Sequence, residues 1–150
     1  MMIDDLLSLS KRSKSWPDGG RVRILLVEDN AEFRRQEVRF LASDPRCEVV
    51  ALATSGAEAV DKTERLFPDL VLMDLSMPGM NGFEATRRIK ALRHSTRVVI
   101  VTLYGGAAYR FLSESSIADA FLSKTDFARE FPVLLNNLFP PAPAPQSVRV

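Results

Sequence analysis

Between Arg21 and Phe139 the chain alternates short apolar runs with longer segments whose apolar residues recur at helical spacing. Few folds accommodate that alternation. The runs Val22 to Val27, Glu48 to Ala53, Leu70 to Met73, Val98 to Val101 and Ala120 to Leu122 are too short to be buried helices and read as strands. Near-continuous apolar character is what a parallel strand covered on both faces requires, so the five repeats predict a doubly wound α/β fold. Between the strands, Gly56, Val60, Thr63 and Phe67 share a helical face, as do Ala85, Ile89 and Leu92, then Ala108, Phe111 and Leu112. After the first strand, Phe33, Val38, Phe40 and Leu41 stand among Arg34, Arg35 and Arg39, and Asp29 or Asn30 can cap a helix there. The last repeat places Phe127, Phe131, Leu134, Leu135 and Leu138 on one stripe. Pro132 inside that stripe predicts a kink or a late helix start.

The ends of the chain read differently. Residues 1–20 mix Asp4 and Asp5, a short Leu6-Leu7-Ser8-Leu9 patch, the basic Lys11-Arg12-Ser13-Lys14 and the turn Pro17-Asp18-Gly19-Gly20, which together predict a flexible extension. Its acids precede its basic run, the reverse of a secretory signal, so export is not expected. Residues 140–150 open on Pro140-Pro141-Ala142-Pro143-Ala144-Pro145, an extended proline-rich tail. The folded unit is therefore expected at 21–139. At 46% hydrophobic and 26% charged residues the chain can bury a core without staples. Twenty Lys and Arg against 19 Asp and Glu give no basic excess for binding nucleic acid or anionic membrane. A lone Cys47 and a lone His94 exclude an internal disulfide and the usual zinc cage. No apolar run approaches the roughly 18 residues of a membrane span, and a cytoplasmic protein is expected.

Ligands of open parallel sheets bind outside the carboxyl ends of the strands. Four of the five ends carry reactive groups: Glu28 and Asp29 after the first, Asp74 after the third, Thr102 after the fourth and Lys124 after the fifth. Three crowded carboxylates repel one another and call for a cation. An all-oxygen set favours a hard ion that also coordinates phosphate oxygens, so Mg2+ is expected. Lys124 adds positive charge and Thr102 a hydrogen-bond donor, and the pocket would suit a phosphoryl group. An ionised carboxylate can attack phosphorus. Asp74 is best placed to do so, because it closes the apolar Leu70-Val71-Leu72-Met73 run just before a turn rich in proline and glycine.

These residues resemble the receiver domains of two-component response regulators over nearly all of 21–139. The likeness rests on Leu26-Val27-Glu28-Asp29-Asn30, on Leu72-Met73-Asp74-Leu75-Ser76-Met77-Pro78-Gly79-Met80-Asn81-Gly82, on Val101-Thr102 and on Phe121-Leu122-Ser123-Lys124. The resemblance implies a flavodoxin-like (CheY-like) doubly wound five-stranded parallel sheet in the order 2-1-3-4-5 with five helices. It implies Asp74 as phosphoacceptor, and Glu28, Asp29, Asp74 and the backbone carbonyl of Ser76 as Mg2+ ligands. Thr102 and Lys124 would contact the phosphoryl group, with Thr102 and Phe121 as the switch pair. A histidine kinase or histidine phosphotransfer protein would be the donor. A downstream effector would bind the surface of the fourth helix, fifth strand and fifth helix, which could also pair two copies.

The sequence departs from that pattern at three places. Thr125 stands where many receivers have a proline joined to the lysine by a cis peptide, and Leu103 is larger than the small residue usual after the threonine. Gly105-Gly106 should loosen the start of the fourth helix. Other residues read plainly: His94 as an exposed loop residue, Cys47 as a small buried hydrophobe, and Tyr104 and Tyr109 as equally suited to packing or to the output face. The expectation is a single-domain response regulator, a signalling switch and no enzyme, free of direct nucleic-acid or membrane contact. One alternative is an aspartyl-phosphate phosphatase acting on outside substrates, although Ser76 stands where that chemistry wants a second acid. The other is a receiver-shaped scaffold independent of phosphate.

Overall fold

A computed structural model describes residues 20–75, 77–103 and 117–141. Five strands, β1 (Val22–Val27), β2 (Cys47–Ala53), β3 (Leu70–Asp74), β4 (Arg97–Thr102) and β5 (Ala120–Ser123), form one sheet in the order β2-β1-β3-β4-β5. All four pairings are parallel, so the expected order 2-1-3-4-5 is met. Among the described residues four helices connect and flank them: α1 (Ala31–Ala42), α2 (Gly56–Leu66), α3 (Gly82–Leu92) and α4 (Phe127–Leu138). The helix expected between β4 and β5, with Ala108, Phe111, Leu112, Gly105-Gly106, Tyr104 and Tyr109, lies outside the described residues, as do the extension at 1–19 and most of the proline-rich tail.

The two faces of the sheet bury separate cores. On one, Ile24, Leu26, Leu72, Val99 and Leu122 meet Leu41 of α1 and Phe127, Phe131 and Leu135 of α4. On the other, Leu25, Val27, Val71, Met73 and Ile100 meet Ala59 of α2 and Ala85 and Ile89 of α3. Every residue of β3 is buried. A central parallel strand has no solvent face, which explains why its sequence shows a run and no alternation.

Side-chain caps set the starts of three helices, Asn30 as the sequence suggests and Ser55 and Asn81 beside it. Asn30 accepts the Phe33 N–H at 2.8 Å, Ser55 the Glu58 N–H at 3.1 Å and Asn81 the Glu84 N–H at 3.0 Å. Two expectations need correction. Phe67 does not lie on the core face of α2. It is the left-handed C-cap (φ 49°), half-exposed, with the Arg93 guanidinium 5.1 Å above its ring. Leu92, the last residue of α3, is likewise half-exposed, one turn beyond Ile89, the last buried position of that helix. Helix α4 does not start late. It runs from Phe127 through Pro132, and burying Phe127, Phe131 and Leu135 on one stripe outweighs the single backbone donor that Pro132 lacks.

Candidate functional site at the carboxyl ends of the strands

Parallel pairing brings every strand out at the same edge. Asp74 is the last residue of β3 and pairs with Val101, so Thr102 ends the neighbouring strand one residue further on. The turn after β1 is pinned from several sides. The Glu28 N–H donates to the Ala53 carbonyl at 2.9 Å. The Arg34 guanidinium donates to the Glu28 carbonyl at 2.8 Å, and the Asn30 N–H donates to the Glu28 carboxylate at 3.1 Å. The acids of that turn are thus fixed at the end of β1 by β2 and by the first turn of α1.

Glu28, Asp29 and Asp74 each offer an oxygen, and the three oxygens lie within 4.8 Å of one another. Glu28 and Asp74 are buried, while Asp29 is exposed at the mouth. Lys124 reaches in from the segment after β5. Its ammonium stands 2.7 Å from a Glu28 oxygen and 3.5 Å from an Asp74 oxygen. The Lys124 N–H donates to the Thr102 carbonyl at 2.8 Å, and the Ser123 hydroxyl lies 2.7 Å from that of Thr125, so a hydroxyl turn shapes the backbone on either side of the lysine. Burial works against the charged lysine, but the hydrogen bond to Glu28 and the charges of Asp74 and Glu28 outweigh it and hold the ammonium above the usual lysine range.

The turn after β3 is built for close approach. The Gly82 N–H donates to the Leu75 carbonyl at 3.1 Å, and a Cβ on Gly82 would stand 2.6 Å from the Asp74 carbonyl oxygen. Only glycine lets α3 start this near the acid. Thr102 is buried at the edge of β4. Phe121, beside Ile100 in the sheet, is half-buried with its ring 6.2 Å from that of Phe83. Ser76, whose carbonyl was expected as a further ligand, lies outside the described residues.

Glu37 escaped the sequence reading. It sits on the core side of α1, only 4% exposed, one turn after Phe33 and one before Leu41. Burial pushes its carboxyl up to about 8, Glu28 and Asp74 push the same way, and Lys124 opposes them. The signal available was its place in the Phe33, Glu37, Leu41 stripe at helical spacing, the face that Leu41 buries. Other residues fall as read: His94 is exposed in a turn, and Cys47 is buried with burial pushing its thiol up to about 12. No helix among the described residues is long and apolar enough to cross a membrane.

Comparison with known proteins gives the same picture. The chain is 46% identical over 82 residues to a protein-glutamate methylesterase/protein-glutamine glutaminase of Myxococcus xanthus, a match covering 55% of this chain and 23% of that protein. It resembles the response regulator domain of Thermotoga maritima CheB (33% identity, TM-score 0.68, 79% of this chain and 93% of the other). It also resembles a LuxR-family two-component response regulator of Aurantimonas (32% identity, TM-score 0.72, 79% and 86%). The chain spans about a fifth of the length of the methylesterase relatives it matches. These relatives overturn the expectation that the chain is no enzyme: they bear the name of enzymes, and a segment like this one occurs within them. Since the match takes in only that segment, the activity in their name would lie in a separate domain of those proteins. The response regulator receiver domain family matches residues 24–131, which take in most of β1, the other four strands and the acid cluster, and the chain belongs to that family.

Proposed function

We propose that Asp74 accepts a phosphoryl group from a phosphohistidine of a histidine kinase or phosphotransfer protein, and that the acyl phosphate then changes which partner this domain binds. The observation that carries the reading is the Lys124 ammonium between two buried carboxylates, 2.7 Å from Glu28 and 3.5 Å from Asp74, with Asp29 completing the acid group at the mouth. In the transfer the N–P bond of the phosphohistidine breaks, an Asp74 carboxylate oxygen forms the new O–P bond, and the imidazole leaves and takes up a proton. Lys124 is placed to pair with the added charge, and the Thr102 hydroxyl, one strand over, to donate to a phosphoryl oxygen.

The donor set is three carboxylates with no nitrogen or sulfur among them, which fits a hard divalent ion. Glu28, Asp29, Asp74 and the Ser76 carbonyl would hold Mg2+, which when bound neutralises charge on both the carboxylates and the phosphoryl oxygens. Thr102 and Phe121 are the proposed switch: the hydroxyl moves toward the phosphoryl, the Phe121 ring turns inward, and the surface around β5 and the last helix presents a new face to an effector or to a second copy. Domain limits of 21–139 and a cytoplasmic site belong to the same reading.

Acetyl phosphate with Mg2+, followed by intact mass, is the test. One phosphoryl group should be gained in Mg2+ and none in excess chelator. Uptake that is equal in chelator would remove the metal from the account, and steady release of phosphate from an ester in excess over protein would favour a phosphatase acting on outside substrates.

A further inference from the structure

The Lys124 ammonium has a third neighbour. The ring of Phe33 lies with its centroid 4.5 Å from the Lys124 nitrogen, beside the contacts of that nitrogen with Glu28 and Asp74. Phe33 stands in the first turn of α1 and is fixed there from both directions: its own N–H donates to the Asn30 side chain at 2.8 Å, and the next residue, Arg34, ties the helix to the Glu28 carbonyl at 2.8 Å. The same turn that carries the acids therefore also carries the ring. A cleft of about 240 Å3 is lined by Phe33 and Lys124 together with Asn30, Glu32, Gln36 and Leu103.

We infer that Phe33 is a positioning residue of the phosphoryl site, acting through Lys124. Lysine is a flexible stem with a strongly hydrated head, and its N–H donors turn to whatever surrounds them. With water on its open side the ammonium would spread those donors between solvent and carboxylate. An aromatic face attracts the cation without accepting a directed bond as a carboxylate does, and it keeps water away. The Lys124 side chain is accordingly only 9% exposed although it lies at the rim of the sheet. Held in this way, the ammonium stays between Glu28 and Asp74, within reach of the place where charge would be added, and the side chain has less freedom to lose when the anion arrives.

This inference rests on the phosphoacceptor reading, and the test separates the two. The probe is beryllofluoride with Mg2+, a stand-in for a phosphoryl group on a carboxylate, followed by fluorine NMR on the parent chain, Phe33→Leu and Phe33→Tyr. Leucine keeps an apolar cover but has no ring face, so Phe33→Leu should bind beryllofluoride about three- to tenfold more weakly, the range expected of a cation over a ring partly shielded from water. Phe33→Tyr should stay within about twofold of the parent, and affinity for Mg2+ alone should be unchanged to the same degree in both variants, because the carboxylates are untouched. Parent-like beryllofluoride binding by Phe33→Leu, or an equal loss in Phe33→Tyr, overturns the positioning role. Equal weakening of Mg2+ binding by Phe33→Leu also overturns it, since the damage would then lie in the acid turn. If the parent binds no beryllofluoride at all, the phosphoacceptor reading itself fails.

Discussion

Lys124→Met is expected to lower the unfolding free energy by about 3 kcal/mol in chelator at neutral pH, the cost typical of removing one partner from a buried ion pair. The reason is what remains. Glu28 and Asp74 are 1% and 5% exposed, and the ammonium that stands between them offsets their charge. Methionine fills much of the same volume, so the loss would be electrostatic and not a cavity. Adding Mg2+ should return part of the stability, because an ion bound only by the folded form stabilises it by mass action. The gain should be larger in the variant than in the parent, where the Glu28 oxygen is already engaged by Lys124. Urea unfolding of both proteins with and without Mg2+ measures this. A cost below about 1 kcal/mol, as for a solvent-exposed pair, would mean that the ammonium is not the neutralising partner described here.

Glu37 gives the second large effect, and its sign is opposite to that of an ordinary salt-bridged acid. Folding raises its carboxyl from 4.5 to about 8, with burial the first cause and Glu28 and Asp74 adding to it. Below pH 4.5 the proton is on in both states and Glu37 adds no pH dependence. Between about 4.5 and 8 the unfolded chain releases the proton while the folded chain retains it, so stability falls as pH rises. Above about 8 both states are ionised and the loss levels off. At about 1.4 kcal/mol per pH unit the full interval amounts to at most about 5 kcal/mol. Glu37→Gln removes the titration at nearly constant shape. In chelator, the unfolding free energy of Glu37→Gln minus that of the parent should therefore grow by several kcal/mol between pH 5 and pH 8.5, on the order of half or more of that ceiling. A flat difference across this range would show that Glu37 is ionised in the folded chain at all of these pH values.

Glu37 also marks where the sequence stops being readable. The strands could be recognised because β3 and the apolar part of β4 are buried on both sides, so burial is written as chemical type. The acids could be recognised for a topological reason: parallel strands all end at one edge, so reactive residues after β1, β3, β4 and β5 had to meet there. What a residue faces within a helix is less visible. Glu37 is an acid that the packing of α1 turns inward, whereas Phe67 and Leu92 read as core and stand half-exposed at the ends of their helices. In each case residue type pointed one way and position at a helix end or over the site pointed the other, and position decided. The contact of Phe33 with Lys124 joins residues 91 positions apart by number, with nothing in the local pattern of either to announce it.

The central claim is that Asp74, and no other acid of the cluster, carries the phosphoryl group. An acyl phosphate can be reduced by borohydride to an alcohol, which turns the modified aspartate into homoserine and makes the position permanent. After incubation with acetyl phosphate and Mg2+, reduction and peptide mapping should place homoserine at Asp74, leave Glu28 and Asp29 unchanged, and give no conversion at any acid of the cluster in Asp74→Asn. Reduction product at Glu28 or Asp29 in the parent chain, or a phosphoryl group gained with Asp74 intact, would contradict the account.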